Sequence, residues 1–411
     1  MFKGFSLQEK SWIMYDWANS AYSAIITAAV LPIFFKSVAK SAGILTNTAD
    51  SWWGYATSLA TLIVAVLAPV LGTIGDYRNK KMQLFRVFLA IGVASTATLA
   101  FTADWMLLLA LYVITIIGFS GANLFYDAFL VDITTEDRMD KVSTYGFALG
   151  YIGGSTIPFI IAIGLIMFGG KIGIPKMLAT QLSFIITAVW WALFSIPMLI
   201  NVKQKYYLEA EPGTLVKSFK RLVNTFANIR KYKKIFIFLL AYFFYIDGVN
   251  TIIHMASVYG DSVGVDSTTM LLALLVTQII AFPFAILFGK LAERFGSHKM
   301  ILAGICMYIL ICILGYRMSN ATDFWILAIL VATSQGGIQA LSRSYFGKMV
   351  PKENANEFFG FYEIFGKFAA IMGPALFGIS TQLTGQSRFG VLSVTLLFVI
   401  GGGIFIGIRN R

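Results

Sequence analysis

The sequence predicts an all-α membrane protein with twelve transmembrane helices in two pseudo-symmetric six-helix bundles. Three observations lead to this prediction: an apolar composition, twelve apolar stretches of bilayer length, and a repeat that relates the two halves. Hydrophobic residues make up 58% of the 411 residues and charged residues only 13%, whereas a soluble domain carries about 25% charged residues. Together with a mean hydropathy of +0.76, this composition indicates a polytopic membrane protein.

Each apolar stretch has the length that a bilayer crossing requires, which is about 20 residues. The first is too long for the apolar core of a cleavable signal peptide. The predicted spans lie at 12–36, 52–75, 82–102, 105–130, 143–168, 178–200, 234–258, 268–291, 299–317, 323–343, 356–381 and 388–408. This pattern predicts an N-terminal bundle at 1–200 and a C-terminal bundle at 234–411, joined by a polar connection at 201–233.

The distribution of Lys and Arg predicts the orientation. With the N-terminus inside, the inner segments hold 24 of these residues and the outer segments hold six. The positive-inside rule then places both termini in the cytoplasm. The net charge of +12 is explained by this topology, so no nucleic-acid partner is expected. The two cysteines, Cys306 and Cys312, predict neither a disulfide framework nor a metal site.

The connection at 201–233 has an amphipathic part. Between Leu215 and Phe226, apolar residues alternate with Lys217, Lys220 and Arg221. This spacing suits a helix that lies on an anionic inner leaflet. A plain linker between the two bundles explains the segment equally well, and the two interpretations are compatible.

The two halves repeat at a nearly constant offset. The segment GTIGDYRNKK (72–81) follows the second span, and GKLAERFGSHK (289–299) follows the eighth, 217 residues later. In the fifth and eleventh spans, Gly150 matches Gly366 and Pro158 matches Pro374, both at an offset of 216. Similarity of this kind between two six-span halves is typical of duplicated transporters.

The segment 72–81 resembles the loop between the second and third helices of the major facilitator superfamily. In this loop Gly72 permits close helix approach, Asp76 can cap a helix N-terminus, and Arg78 can pair with a carboxylate. Gly289, Glu293 and Arg294 are predicted to repeat the arrangement, with Glu in place of Asp. We expect these residues, together with Arg343, to form a conformational gate rather than a substrate site.

Further motifs narrow the resemblance to the vacuole-effluxer, autophagy-related permease branch of that superfamily. They are YDWANSAY (15–22), DRMDKVSTYGFALGYIGG (137–154), FYIDGVNT (244–251), GGIQALSRS (336–344) and EFFGFYEIFGK (357–367). The resemblance implies the major facilitator fold and a solute permease, and eukaryotic members are associated with amino-acid efflux from the vacuole. Because the chain has no long insertion between spans, we expect a member from a bacterial cytoplasmic membrane.

In that superfamily the first, fourth, seventh and tenth helices line the substrate cavity. Polar residues in these spans are therefore the predicted cavity residues, since ionisable groups within a span usually face a cavity or the bundle interior. They are Asp16, Asn19, Ser20 and Tyr22 in the first span, Asn123 and Asp127 in the fourth, Asp247, Asn250, Thr251 and His254 in the seventh, and Gln335 and Gln339 in the tenth.

Depth separates the two aspartates of the first and seventh spans. Counted from the predicted span starts, Asp16 lies about 6 Å deep and Asp247 about 18 Å. Asp16 and Asn19 are therefore assigned to the inner gate or vestibule, although Asp16 could simply anchor its helix. Asp247 and His254 are predicted to couple transport to protons, because a desolvated carboxylate takes up a proton readily and histidine titrates near neutrality. The alternatives are that Asp247 is permanently paired with a cation and that His254 bonds a backbone carbonyl.

Two ion pairs are predicted. Arg343 is expected to face Asp127 on the cytoplasmic side. Glu363 and Lys367 stand at i and i+4 in the order that favours a pair on one helix. In the alternative, Lys367 binds a carboxylate of the substrate.

The predicted function is secondary active transport of a small polar solute, with an amino acid as one candidate, by alternating access. The expected partners are the solute, the lipid bilayer and a coupling ion, preferably the proton, and the protein is expected to be a monomer. The alternatives are export of amphipathic compounds or lipids, and a non-transporting membrane sensor. No enzyme, cofactor or metal site is expected, because the sequence has neither a His-Glu-x-x-His motif nor a Walker-type phosphate loop.

Overall fold

The computed structural model describes residues 4–209 and 229–409, together with 218, 220–222 and 224–225 between them. Within these residues twelve helices are long and apolar enough to cross a membrane, and the predicted all-helical class with twelve spans is confirmed. The helices are α1 (Leu7–Ser41), α2 (Thr48–Gly75), α3 (Lys80–Phe101), α4 (Trp105–Ile133), α5 (Met139–Ile172), α6 (Lys176–Asn201), α7 (Arg230–Ser262), α8 (Leu272–Phe295), α9 (Ser297–Tyr316), α10 (Ala321–Met349), α11 (Lys352–Thr384) and α12 (Ser387–Ile408).

Helix α1 begins earlier than the hydropathy pattern predicts. The Ser6 hydroxyl accepts the Glu9 amide at 3.1 Å, and the Glu9 carboxylate accepts the Ser6 amide at 2.8 Å. This reciprocal capping box satisfies two amides that would otherwise lack partners at the helix start. Asp16 therefore lies nine residues after Leu7, the first residue of the helix.

Among the irregular backbone segments of the described spans, those in α1, α5 and α11 lie well inside the helix. Helix α1 has a π-helical segment at Ser23–Ala29, and α5 has one at Gly150–Thr156. Helix α11 is interrupted between Phe368, where its first part ends, and Met372, where its second part begins.

Prolines account for the irregular backbone of α5 and α11. Pro158 and Pro374 have no amide hydrogen, so the carbonyls of Gly154 and Ala370 lose their usual helical partner four residues later. Because the two prolines match at the offset of the repeat, the fifth helix of each sequence half is interrupted at the same place.

The chain forms two compact units that differ from a simple division of the sequence. Unit 1 comprises Met1–Thr134, Leu149–Phe219 and Lys352–Gly360, and unit 2 comprises Thr135–Ala148, Lys220–Pro351 and Phe361–Arg411. Each unit thus contains a short segment from the other sequence half. The predicted domain boundaries at 200 and 234 stay a prediction, and most of the amphipathic stretch from Leu215 to Phe226 lies outside the described residues.

Within each unit the same helix pairs pack together. In unit 1, α1 packs on α6, α3 on α4, and α2 on α4. In unit 2 the equivalent pairs are α7 with α12, α9 with α10, and α8 with α10. Aromatic side chains fill both cores: Trp12 stacks on Tyr126 with ring centroids 4.4 Å apart, and Tyr308 stacks on Phe398 at 5.2 Å. The packing therefore repeats the internal similarity of the sequence.

Candidate functional site

The polar residues Asp16, Asn19 and Ser20 form a stripe along α1 that lies inside unit 1. Asp16 and Asn19 are buried, with 7% and 6% of their surface exposed. Asn19 Nδ2 donates to Asn123 Oδ1 of α4 at 2.8 Å. Ser20 faces the irregular segment of α5, where a side chain at Gly150 or Gly154 would collide with it. The structure thus joins the predicted cavity residues of α1 to α4 and packs them on α5.

Tyr22, predicted to line the substrate cavity, is a core residue. Its hydroxyl shares a 2.8 Å hydrogen bond with Thr115, and its ring stacks on Phe119 at 4.3 Å. The π-helical segment that follows adds a residue to the turn and rotates the rest of the helix. Ser23 and Thr27, which a regular helix would place on the same side as Asp16 and Asn19, are exposed.

Asp247 holds the second part of α11. The side chain is fully buried, and its two oxygens accept the Gly373 amide at 3.0 and 2.9 Å. Thr251, one turn along α7, contacts the same carboxylate at 3.5 Å. A side chain at Gly373 would collide with Thr251 and Asp247. The negative charge therefore lies at the positive end of a half-helix, a position that stabilises it.

The structure does not bring His254 to Asp247. The two residues are seven positions apart on α7, about 10 Å along the axis. His254 is exposed, and its imidazole has no hydrogen-bond partner among the described residues. Asn250, between them, is half-buried. Among the described residues, the Asp247 carboxylate is bound to the Gly373 amide and to Thr251 rather than to a cation. Proton coupling by Asp247 and His254 stays a prediction.

The aspartates of α1 and α7 occupy similar places within their own units. Ser20 packs on Gly154, four residues before Pro158, and Thr251 packs on Gly373, one residue before Pro374. Each aspartate thus lies one turn before a side chain that packs on a glycine near the repeated proline. The difference in depth counted from the span starts stays a prediction.

The polar residues of α10 lie in two environments. Gln335 is 3% exposed, and its Nε2 has no hydrogen-bond partner among the described residues. Together with Thr251 it lines a largely apolar cavity of about 100 Å³ inside unit 2. Gln339, one turn further on, is half-buried, as are Asn123 and Asp127 of α4.

A first carboxylate contact, here called the Asp76 latch, involves Asp76, Asn356 and Glu357 in unit 1. Asp76 is 1% exposed. Its Oδ1 accepts the backbone amide of Asn356 at 2.8 Å and the side-chain amide at 2.9 Å, and its Oδ2 accepts the Glu357 amide at 3.4 Å. Gly72 lies so close to the Asn356 carbonyl that a side chain there would collide with it. The start of α11 is thereby held against the end of α2.

A second contact, here called the Asp140 latch, involves Asp140, Ser297, Ser344 and Lys348 in unit 2. Asp140 Oδ2 accepts the Ser297 hydroxyl and the Lys348 ammonium, each at 2.6 Å, while Oδ1 accepts the Ser344 hydroxyl at 2.6 Å. Three donors thus satisfy one carboxylate that is 5% exposed. The start of α5 is thereby held against α9 and α10.

Arg343 reinforces the contacts of the α5 segment. Its Nε donates to the Ser143 hydroxyl at 2.9 Å, and a terminal nitrogen donates to the Ser143 carbonyl at 3.2 Å. The guanidinium lies 4.5 Å from the ring centre of Phe147. The predicted pair with Asp127, which belongs to unit 1, stays a prediction.

Of the other predicted gate residues, Gly289 makes a close helix contact, whereas Glu293 and Arg294 do not. Gly289 lies against Thr144, where a side chain would collide, and thus repeats the role of Gly72. Glu293 and Arg294 are exposed at the end of α8, and Arg294 lies over the neighbouring Phe295. They therefore do not repeat the contacts of Asp76, and in unit 2 the carboxylate that performs this task comes from Asp140.

The predicted charge pair of α11 is formed. Lys367 Nζ lies 3.6 Å from Glu363 Oε1, with 32% and 15% of the side chains exposed. Among the described residues no group of three or more His, Cys, Asp or Glu side chains is placed to hold a metal ion.

Comparisons with known proteins define the family. Residues 44–411 match the family described as vacuole effluxer Atg22-like. The chain belongs to this Atg22-like family. It is 56% identical over 405 residues to YxiO of Bacillus subtilis, a protein named as an MFS-type transporter, with 98% of this chain and 94% of that protein covered. This Atg22-like protein is therefore a multi-pass membrane protein and a transporter of the major facilitator type.

More distant relatives and solved structures agree with the fold. Autophagy-related protein 22 of Cryptococcus neoformans is 24% identical over 305 residues, and this chain spans 54% of its length. The crystal structure of the human organic anion transporter MFSD10 has a TM-score of 0.75 at 12% identity and covers 97% of this chain and 98% of its own. The transporter FucP in its outward conformation has a TM-score of 0.69 at 16% identity, covering 98% and 97%. At these identities the structures establish the major facilitator fold alone.

The residues that complete the Asp140 latch in this Atg22-like protein are not among the predicted site residues. Asp140 belongs to the motif at 137–154, and it matches Asn356 at the repeat offset of 216. Asn356 is itself a partner of Asp76. Comparing the starts of the fifth and eleventh spans could therefore have singled out Asp140, but Ser297, Ser344 and Lys348 carry no comparable signal.

Proposed function

We propose that this protein moves a small polar solute across a bacterial cytoplasmic membrane by alternating access, coupled to protons. The pair of latches carries the proposal. Asp76 holds a segment of the second sequence half in unit 1, and Asp140 holds a segment of the first half in unit 2. Transport requires both segments to leave these positions and return in each cycle. Contacts made of a few hydrogen bonds and one ion pair suit an element that switches between two arrangements.

The inner side of the membrane is the proposed place of both latches and both termini. The loops between α2 and α3, α8 and α9, and α10 and α11 all belong to the segments that carry the excess of Lys and Arg. The positive-inside rule assigns such loops to the cytoplasm. A monomer is sufficient for this mechanism, since both latches are formed within one chain.

Polar groups on α1, α4, α7 and α10 support a polar solute. Asn19 and Asn123 are already paired, and Asp127, Asn250 and Gln339 are half-buried, so they can offer donors and acceptors to a ligand. An amino acid is the first candidate class, because the eukaryotic proteins that the sequence resembles are associated with amino-acid efflux.

Asp247 is the proposed proton carrier. Its carboxylate accepts the amide at the start of the second part of α11. Protonation would remove the charge that favours this position at the helix end. Uptake and release of a proton can thus change how firmly α7 holds α11. His254, exposed two turns away, is proposed to relay the proton to or from Asp247.

The experiment is counterflow of a panel of labelled metabolites, amino acids included, in proteoliposomes with and without a pH gradient. Asp247→Asn keeps an oxygen that can accept the Gly373 amide but cannot carry the charge, so we expect transport that no longer responds to the gradient. Asp261→Asn, at the exposed end of the same helix, is the matched control and should respond as the unmodified protein does. A gradient response that persists in Asp247→Asn would exclude the proton role.

One observation favours a second candidate, the export of amphipathic compounds. The cavity inside unit 2 is lined mainly by apolar side chains, with Gln335 and three other polar residues among them. The same panel should therefore contain amphipathic cations and anions of similar size. Counterflow by these compounds without counterflow by any polar metabolite would select this candidate.

A further inference from the structure

The first residues of the connection between the sequence halves, 202–209, run along the loop that carries Asp76. We call residues 202–209 the strap. The Leu208 amide donates to the Asp76 carbonyl at 2.8 Å, and the Arg78 amide donates to the Leu208 carbonyl at 3.0 Å. These two bonds form an isolated parallel β-bridge between Tyr77 and Leu208. The backbone on both sides of Tyr77 is therefore paired with the strap.

A buried ion pair anchors the strap to unit 1. Asp132, at the end of α4, accepts the amides of Lys205 and Tyr206 with Oδ1, at 2.8 and 2.9 Å. Its Oδ2 pairs with Lys81 Nζ of α3 at 2.6 Å, and both side chains are fully buried. Lys81 also donates to the Ala128 carbonyl at 3.3 Å. The strap amides thus supply hydrogen bonds that a buried carboxylate needs in addition to its counter-ion.

Side chains complete the contact on both sides of the Asp76 latch. Gln204 Nε2 donates to the Gly75 carbonyl at 3.1 Å, next to Asp76. On the other side, Lys352 at the start of α11 lies 5.5 Å from the ring centre of Tyr206. The ion pair between Arg78 and Glu209, at 3.4 Å, is largely exposed and adds little.

We infer that the strap is a working part of the gate and positions the Asp76 carboxylate. Three donors of Asn356 and Glu357 converge on that carboxylate, and such hydrogen bonds weaken steeply when distance or angle changes. The loop is held at the carbonyls of Gly75 and Asp76 and at the amide of Arg78, all by the strap. Displacing residues 202–209 therefore loosens the latch, which gives the connection between the halves a direct influence on the gate. This inference rests on the proposed function, in which the Asp76 latch opens and closes.

The test measures how often the latch opens, so no substrate is needed. Ala355 is fully buried next to Asn356, and a cysteine there reports opening by its reaction with a membrane-impermeant maleimide. Cys306 and Cys312 are first replaced by serine, and the protein is placed in nanodiscs. Leu208→Pro removes the amide that binds the Asp76 carbonyl. Lys203→Pro, at an exposed position of the same segment, is the matched control.

We expect Leu208→Pro to speed labelling about fivefold to tenfold, the change that loss of one such hydrogen bond allows, and Lys203→Pro to leave the rate unchanged. Gln204→Ala should speed labelling as well, and it serves as the second variant if Leu208→Pro folds poorly. A disulfide between cysteines at Tyr77 and Leu208 should keep the slow rate, because the strap stays on the loop throughout.

Asp76→Ala separates two kinds of failure. Fast labelling in Asp76→Ala with unchanged rates in Leu208→Pro and Gln204→Ala would overturn the role of the strap and leave the gate intact. Unchanged labelling in Asp76→Ala as well would show that the latch does not close this site, and the gate and the strap would then both be rejected.

Discussion

Gly373 shows how one residue without a side chain permits a buried charge. The Asp247 carboxylate can reach the amide of residue 373 only because nothing projects from that residue toward Thr251. The same contact explains why a carboxylate on α7 is tolerated in full burial, since it lies at a helix N-terminus. The residue thus links the packing of α7 and α11 to the proposed proton carrier.

Gly373→Ala should therefore destabilise the protein. The added methyl group would overlap Thr251 and Asp247, and overpacking of this kind costs about 1–3 kcal/mol. Gly378→Ala is a control on the same helix, because no atom lies within 4 Å of its added methyl group. We expect a clear fall in the unfolding temperature in detergent for Gly373→Ala and none for Gly378→Ala. Equal unfolding temperatures would contradict the close contact between α7 and α11.

Asp140 is the residue on which the second latch depends. Its partners include one ammonium and two hydroxyl groups, and the Lys348 side chain is 24% exposed. Removing the carboxylate charge leaves that ammonium without a counter-ion, while removing both charges does not. A structural pair of this kind therefore shows non-additive effects in a double-mutant cycle.

We expect Asp140→Asn to lower the free energy of unfolding by about 1–3 kcal/mol, less than for a fully buried pair because Lys348 reaches solvent. Adding Lys348→Gln should recover part of that loss. Asp137→Asn, exposed three residues earlier, should have no measurable effect. Thermal unfolding of Asp140→Asn, Lys348→Gln, the combination of the two and Asp137→Asn checks the prediction, and additive losses would argue against a coupled pair.

At the scale of whole elements, the interruptions in α5 and α11 are the main departure from regular helix. Both lie just before a proline at the repeat offset, and both face polar residues. These are Asp16 and Ser20 of α1 in unit 1, and Asp247 and Thr251 of α7 in unit 2. Helix segments with missing hydrogen bonds bend more easily than regular helix. These two elements also supply the segments held by the Asp140 and Asp76 latches.

Replacing the prolines should make both segments more regular. Pro158→Ala and Pro374→Ala restore amides that can bond the carbonyls of Gly154 and Ala370. Hydrogen exchange followed by mass spectrometry should then slow at 150–158 and 369–374, by about tenfold for each restored bond. Pro175→Ala, just before the start of α6, should leave exchange in both segments unchanged. Unaltered exchange in the first two variants would show that the prolines do not cause the interruptions.

The elements were far easier to predict from sequence than their contacts. Hydropathy located all twelve helices because each must be apolar over its own length. The repeat also located Pro158 and Pro374, although it did not reveal the interruptions. The contacts of Asp140 depend on residues 157 to 208 positions away, and periodicity carries no information at that range. The Tyr22 hydroxyl is paired with Thr115 in the core, and a polar residue in a cavity helix carries no sequence signal that separates such a core position from a cavity position.

At the scale of the whole molecule, the two compact units do not coincide with the two sequence halves. Each includes the start of a fifth helix that belongs by sequence to the other half. The carboxylates that hold these segments come from different places: Asp76 from the loop between α2 and α3, and Asp140 from the segment itself. The duplication has thus kept the position of each latch while changing its chemistry.

Alternating access then predicts that transport stops when either the start of α5, held by the Asp140 latch, or the start of α11, held by the Asp76 latch, is fixed in place. A cysteine at Gly289 would have its Cβ 3.1 Å from the Cβ of residue 144, near the separation of about 3.8 Å found in disulfides. In a background without Cys306 and Cys312, oxidising Thr144→Cys/Gly289→Cys should abolish counterflow of the solute found in the panel, and reduction should restore it. The disulfide between Tyr77 and Leu208 joins two residues of unit 1. It fixes neither the α5 segment nor the α11 segment, so it should leave counterflow unchanged. Full transport with the Thr144–Gly289 bond formed would mean that the α5 segment stays in unit 2 throughout the cycle, which alternating access through this latch does not allow.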